Sequence, residues 1–318
     1  MNFSIERKPG DGFDLLWLTE NATGTQVALN PAAGALLHAF VVPVEKTTIN
    51  IIDNYKTADE LAHYLSFSYK GSKLSPFACR IPRGRWSMNE TQYEFQNRFK
   101  DGSAIHGLVY DKSFEVTREF ADEGSASVTL RYHYKAEDAG YPFEYICEVK
   151  YTLQTRNVLQ LETTIINLHH ESIPVVDGWH PYFNLGDTID KYEIMFPSRT
   201  MLEFNEALVP TGKLLDDPSF ISLAQLGSRE IDNCFVLNQS NGSPCCVVYN
   251  PRNKLKLNFF ASDLYRYLQI FTPKHRDSIA IENLSGAPDA FNNGLGLIML
   301  DPKGSVGFKV RYQVETAE

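Results

Sequence analysis

The sequence predicts an all-β protein, a large antiparallel β-sandwich, and three observations carry that prediction. Three successive segments alternate with a period of two. Val128, Leu130, Tyr132 and Tyr134 oppose Thr129, Arg131, His133 and Lys135. Tyr145, Cys147, Val149, Tyr151 and Leu153 oppose Glu144, Ile146, Glu148, Lys150 and Thr152, and Leu159, Leu161, Thr163 and Ile165 repeat the scheme. Such alternation marks strands buried on one face. The connections, among them Glu123-Gly124 and Gln154-Thr155-Arg156-Asn157, are short and polar. No long helices are available to cover a parallel sheet, so antiparallel sheets must cover one another. With no linker, repeat or low-complexity run, residues 1–318 read as one domain.

Taken in order, Gln26–Pro31 and Leu36–Val42 read as strands around the Pro31–Gly34 turn. The one helical signal is Leu61-Ala62-His63-Tyr64-Leu65, preceded by Thr57 and Glu60 at capping-box spacing and ending by Phe67. Residues 76–85 hold Arg80, Arg83 and Arg85 among prolines and a glycine, and predict a loop. After the strict alternation come a strand opened by Glu230-Ile231-Asp232, the apolar run Ile279-Ala280-Ile281-Glu282, a Gly- and Asn-rich loop over 285–294, and strands at 297–300 and 306–314.

Composition narrows the function. A chain of 318 residues buries about three quarters of its unfolded surface and needs no staple. Its five cysteines are odd in number, lack C-x-x-C spacing and include the neighbours Cys245-Cys246, which fits reduced thiols in a cytoplasm better than a disulfide framework or zinc site. A net charge of −9 disfavours nucleic acid and anionic membranes and favours a neutral ligand. No signal peptide is evident at the N-terminus, and no run of about 18 apolar residues predicts a membrane span.

The segment Val175-Val176-Asp177-Gly178-Trp179-His180-Pro181-Tyr182-Phe183-Asn184-Leu185 joins chemistry to a binding surface. Asp177-Gly178 reads as a turn, and Pro181 forces His180 into an extended backbone. Trp179, Tyr182 and Phe183 offer flat faces for the C–H face of a pyranose, beside an imidazole that exchanges protons near neutral pH. The competing reading is a core histidine at a strand end. Glu282 stands in an apolar run, where a carboxylate is costly unless paired or used. His106, between Ile105 and Gly107, reads from position alone as a surface histidine beside a turn. His169-His170-Glu171 reads as a solvated turn.

Pro76-Phe77-x-x-Arg80-Ile81, Ile105-His106-Gly107, Trp179-His180-Pro181-Tyr182-Phe183-Asn184-Leu185, Asp232-Asn233-Cys234-Phe235, Gln269-Ile270-Phe271-Thr272, Ile281-Glu282 and Pro288-Asp289-Ala290-Phe291-Asn292 form an ordered set. That set resembles the aldose 1-epimerases, or galactose mutarotases, over nearly the whole chain. The resemblance implies a galactose mutarotase-like supersandwich with a shallow sugar cleft on one sheet and no metal or organic cofactor. It further implies His180 as general acid, Glu282 as general base, His106 as a second imidazole near the ring oxygen, and Arg80, Asp232 and Gln269 as hydroxyl-binding groups. Ala78-Cys79 departs from the family pattern ahead of Arg80.

The expected activity is interconversion of the α and β anomers of a free aldose. It requires one acid and one base, each worth roughly 10² to 10⁴ in rate. The expected pH profile has an acidic limb from the carboxylate and a near-neutral limb from the imidazole. The alternatives are a non-catalytic sugar-binding or sugar-sensing protein, a hexose-phosphate mutarotase drawing on Arg80, Arg83 and Arg85, and a glycoside hydrolase using Asp232 and Glu282 as paired carboxylates.

Overall fold

The computed structural model describes residues 1–238 and 241–317. Its architecture is mainly β, and the strands of its sheets pair antiparallel. A nine-stranded sheet runs in the order Glu115–Ala121, Ser125–Tyr134, Tyr145–Gln154, Val158–Asn167, Ser305–Thr316, Leu255–Ala261, Cys246–Asn250, Glu193–Met195 and Ala224–Gln225. The predicted alternation is realised in its first half: Tyr145, Cys147, Val149, Tyr151 and Leu153 are buried. The second large sheet runs Pro210–Asp216, Thr200–Phe204, Asp232–Val236, Tyr267–Phe271, Ile279–Leu284, Gly178–His180 and Ser72–Leu74, and Tyr182–Phe183 also pairs with Ile279–Leu284. One apolar cluster extends from Phe3 to Val314 and draws on both sheets.

The first fifty residues form a five-stranded meander, Phe3–Gly10, Phe13–Glu20, Thr25–Asn30, Leu36–Val44 and Thr47–Asn50. A helix, Ala58–Ser68, follows. Thr57 caps it, the hydroxyl accepting from the Glu60 N–H at 3.1 Å, while the Glu60 carboxylate reaches back to the Lys56 N–H at 2.6 Å. Tyr69 ends it in a left-handed conformation (φ 49°), its N–H bonded to the Leu65 carbonyl. That stop sets Phe67, Ser68 and Tyr69 beside the second sheet.

Residues 76–85 are more regular than their prolines predict. Arg80–Ile81 pairs with Ala104–Ile105, and Arg85–Met88 pairs with Thr91–Glu94. Ladders of two and four residue pairs are too short to register as periodicity. Asp177-Gly178 is not a turn: Asp177 is fully buried and Gly178 is a strand residue. A Cβ at Gly178 would lie 2.6 Å from Leu284, so the glycine serves close strand approach rather than chain reversal. His169-His170-Glu171 lies in a turn, as expected, with the two imidazoles 4.2 Å apart.

Candidate active site

The second sheet brings one row of side chains onto one face. Cys234 pairs with Gln269, and Gln269 with Glu282. Between the pairs Gly178–Leu284 and Tyr182–Ala280, His180 comes opposite Glu282, and on its other side it pairs with Ser72. Residues directly opposite in neighbouring strands share a face. His180 Nε2 therefore stands 3.4 Å from Glu282 Oε1. Pro181 follows His180 where the chain is extended, as predicted.

His180, Gln269 and Glu282 of this row floor a cleft of about 210 Å³, with Arg80, His106 and Asp232 around it. His106 arrives from outside the sheet. Its φ is +59°, and Gly107 follows at +83°, where a Cβ would strike the Ser75 carbonyl oxygen at 2.2 Å. Only glycine tolerates both that angle and that approach. The His106 N–H bonds to the Cys79 carbonyl at 3.0 Å, and the imidazole lies with its centroid 4.8 Å from that of His180 and 4.6 Å from that of Tyr69. Thus the histidine that reads as a surface residue belongs to the cleft.

Asp232 sits at the exposed rim and accepts from Gln269 Nε2 at 2.8 Å. Arg80 reaches the same cleft while ion-paired to Asp101. Arg83 and Arg85 do not: they line a separate groove with Trp86, Tyr93 and Glu94.

Trp179 departs from expectation. Alternation sends it to the face opposite His180, where it is 1% exposed, packs edge-on to Tyr151 and carries the Lys73 ammonium 4.6 Å from its ring. It does not line the cleft. Phe183 is likewise in the core, against Phe259 and Tyr312. Of the three aromatics around His180, only Tyr182 faces the cleft, stacked 5.1 Å from the His180 ring. The apolar walls come instead from Phe67, Phe99, Phe204 and Phe271. The sequence signal for these was weak, since each lies in a different and locally unremarkable segment.

Burial governs the electrostatics. Desolvation lowers the His180 pKa to about 4, and it lowers that of His106 well below its usual value, with the neighbouring His180 and Arg80 charges adding to the effect. Glu282 is raised well above the carboxylate range by burial and then by the Asp232 charge. Partial desolvation of its carboxyl group at the cleft also raises Asp232, which Arg80 and the Gln269 hydrogen bond offset. Against the expectation of an imidazole near neutrality, burial disfavours the cationic form of His180, which is 6% exposed. The pair favours holding a single proton between its two members.

Among the described residues, four buried polar atoms at the cleft have no hydrogen-bond partner: His106 Nδ1, His180 Nδ1, Gln269 Oε1 and Glu282 Oε2. Buried polar atoms are rarely left so, and their convergence fits a ligand rich in hydroxyls. Donor atoms of His106, His180 and Glu282 lie within 4.8 Å of one another, a set that could also hold a divalent ion.

Residues 16–313 match the family model described as aldose 1-epimerase. The chain belongs to the aldose 1-epimerase family. It is 23% identical to the aldose 1-epimerase of Streptococcus thermophilus over 92% of each chain. It is 25% identical to the Escherichia coli protein YihR over 74% of this chain and 76% of that one. Among solved structures, a galactose mutarotase-like protein from Clostridium acetobutylicum superposes with a TM-score of 0.87 at 18% identity, covering 99% of both chains. The galactose 1-epimerase of Lactobacillus acidophilus gives 0.81 at 18% identity, again over 99% of both. The epimerase fold of antiparallel sheets is thus the fold of this chain.

Proposed function

We propose that the chain, folded as one domain over 1–318, is a mutarotase that interconverts the α and β anomers of a free aldose. The observation that carries the reading is the contact of His180 with Glu282 at 3.4 Å, on a cleft floor whose residues carry polar atoms without a partner among the described residues. A sugar there would offer hydroxyls to Arg80, Asp232 and Gln269 while its ring oxygen and anomeric hydroxyl meet the acid and the base.

In the proposed cycle Glu282 takes the proton of the C1 hydroxyl as His180 delivers one to the ring oxygen. The C1–O5 bond breaks and leaves an open-chain aldehyde. Rotation about C1–C2 presents the other carbonyl face, and ring closure reverses both transfers. The reacting form, carboxylate with imidazolium, has the same proton count as the neutral pair that burial favours, so entering the cycle requires only a proton shift within the pair. His106, whose ring adjoins that of His180, would hydrogen-bond near the ring oxygen. One acid and one base supply both transfers, so the proposed cycle calls for no Lewis acid, and the buried free thiols suit a cytoplasmic setting.

Polarimetry of freshly dissolved α-aldoses tests the reading. A faster approach to the equilibrium rotation is expected. Sugar binding with an unchanged rate would establish a non-catalytic sugar-binding protein instead. The hexose-phosphate alternative is disfavoured because Arg83 and Arg85 line another groove.

A further inference from the structure

Behind the cleft, on the opposite face of the same sheet, lies a buried charged cluster that takes no part in the proton transfers. Lys73 and Asp177 are both 0% exposed, with Lys73 Nζ 2.5 Å from Asp177 Oδ1. Lys73 also donates to the Gly178 carbonyl at 2.8 Å. The second carboxylate oxygen of Asp177 accepts from the Tyr265 hydroxyl at 2.7 Å. The Asp177 N–H donates to Ser285 Oγ, and its carbonyl accepts from the Ser285 N–H, each at 2.8 Å.

Stability does not account for such a cluster. Two charges removed from water recover little more than their desolvation cost, and apolar side chains of similar volume often serve as well. Its placement does account for it. Lys73 lies on the strand paired to Gly178–His180, one residue from Ser72, the partner of His180. Asp177 immediately precedes that strand. Ser285 immediately follows the strand bearing Glu282, and Tyr265 stands two residues before the strand bearing Gln269. Four strands of the sheet are therefore tied at one point: three present His180, Glu282 and Gln269 to the cleft, and the fourth pairs with His180 through Ser72.

We propose that Lys73, Asp177 and Tyr265 are positioning residues that fix the register and spacing of His180 against Glu282 from behind the sheet. The proposal rests on the acid and base roles given above. A displacement of the acid by about 1 Å is enough to cost on the order of 10² in rate. Because the cluster touches neither cleft nor substrate, its loss should leave sugar binding intact.

The test is the double variant Lys73→Met/Asp177→Asn, which removes both charges together and so leaves no unpaired ion. Thermal unfolding first establishes that it is folded. Anomerisation should then show kcat reduced by about 10² with KM within about twofold of the parent, and its crystal structure should show His180 Nε2 withdrawn from Glu282 Oε1. Parental kcat, or an unchanged separation, overturns the proposal. Tyr265→Phe, which removes one hydrogen bond and no charge, serves if the double variant does not fold; a smaller fall in kcat at constant KM is expected, and no fall overturns the proposal. Should the parent protein itself fail to accelerate anomerisation, the mutarotase reading falls, and the His180–Glu282 separation in the variant crystal decides the positioning role without it.

Discussion

His180 and Glu282 face each other across adjacent strands, 3.4 Å apart, and burial pushes their proton affinities in opposite directions. The imidazole resists taking a proton while the carboxylate resists losing one. An acid and base so placed titrate as one unit, and the pH dependence belongs to the pair.

The kcat/KM profile should accordingly be a broad bell. On the acid side the pair gains a second proton as pH falls towards about 4, the value to which His180 is lowered, and no base remains. On the alkaline side it loses its only proton above the raised pKa of Glu282, and no acid remains. Glu282→Gln should lose about 10² or more in kcat, and its residual activity should lack the alkaline limb. If the acid limb vanished instead, Glu282 would be titrating as an ordinary carboxylate beside a near-neutral imidazole.

His180→Asn keeps a hydrogen-bond donor but cannot pass a proton, so kcat should again fall by about 10² or more while sugar still binds. Titration calorimetry with a bound aldose separates the two effects. Nearly full activity in this variant would shift the acid role to His106, whose ring is adjacent.

Arg80→Ala should raise KM more than it lowers kcat, because hydroxyl contacts are made equally in ground and transition states. Steady-state kinetics decides it. A large fall in kcat at constant KM would place the guanidinium in the chemistry.

Trp179→Ala should cost about 3–5 kcal/mol of stability, the range for emptying a buried tryptophan site. Denaturant unfolding reads the loss. KM of the folded fraction should stay near the parental value, and a selective rise in KM with stability intact would return Trp179 to the sugar site.

Exhaustive chelation should leave the rate unchanged, although His106, His180 and Glu282 lie close enough to bind a divalent ion. Both proton transfers run between side chain and sugar. Activity lost to a chelator and restored by one divalent ion would overturn that mechanism.

The strands of the nine-stranded sheet were legible because one of their faces is wet and the other dry, so composition records the direction of each side chain. The same rule, applied between Trp179 and His180, would have separated core from cleft; a tight aromatic cluster around one histidine concealed it. Arg80, His106, Asp232, Gln269 and Glu282 were legible as an ordered motif set, and the structure brings all five to one cleft with His180. Lys73 and Asp177 were not legible. A lysine beside a strand and an aspartate before a glycine are ordinary in solvent, and only the packed sheets reveal that both are fully buried. The pKa of His180 was hidden for the same reason, since desolvation comes from residues distant in the chain.

The row that carries the cleft floor joins residues 72, 180, 282, 269 and 234, each from a separate strand, and the pairings on either side of Gly178–His180 join segments far apart in the chain. Pairings at such sequence separations close late, because the chain must give up loop entropy before they repay it. During refolding, secondary structure in the local hairpins should therefore return well before anomerisation does. Recovery of activity then becomes a kinetic clock for closure of the last long-range ladder, and a proteolytic fragment that lacks either end of this span would carry no partial rate.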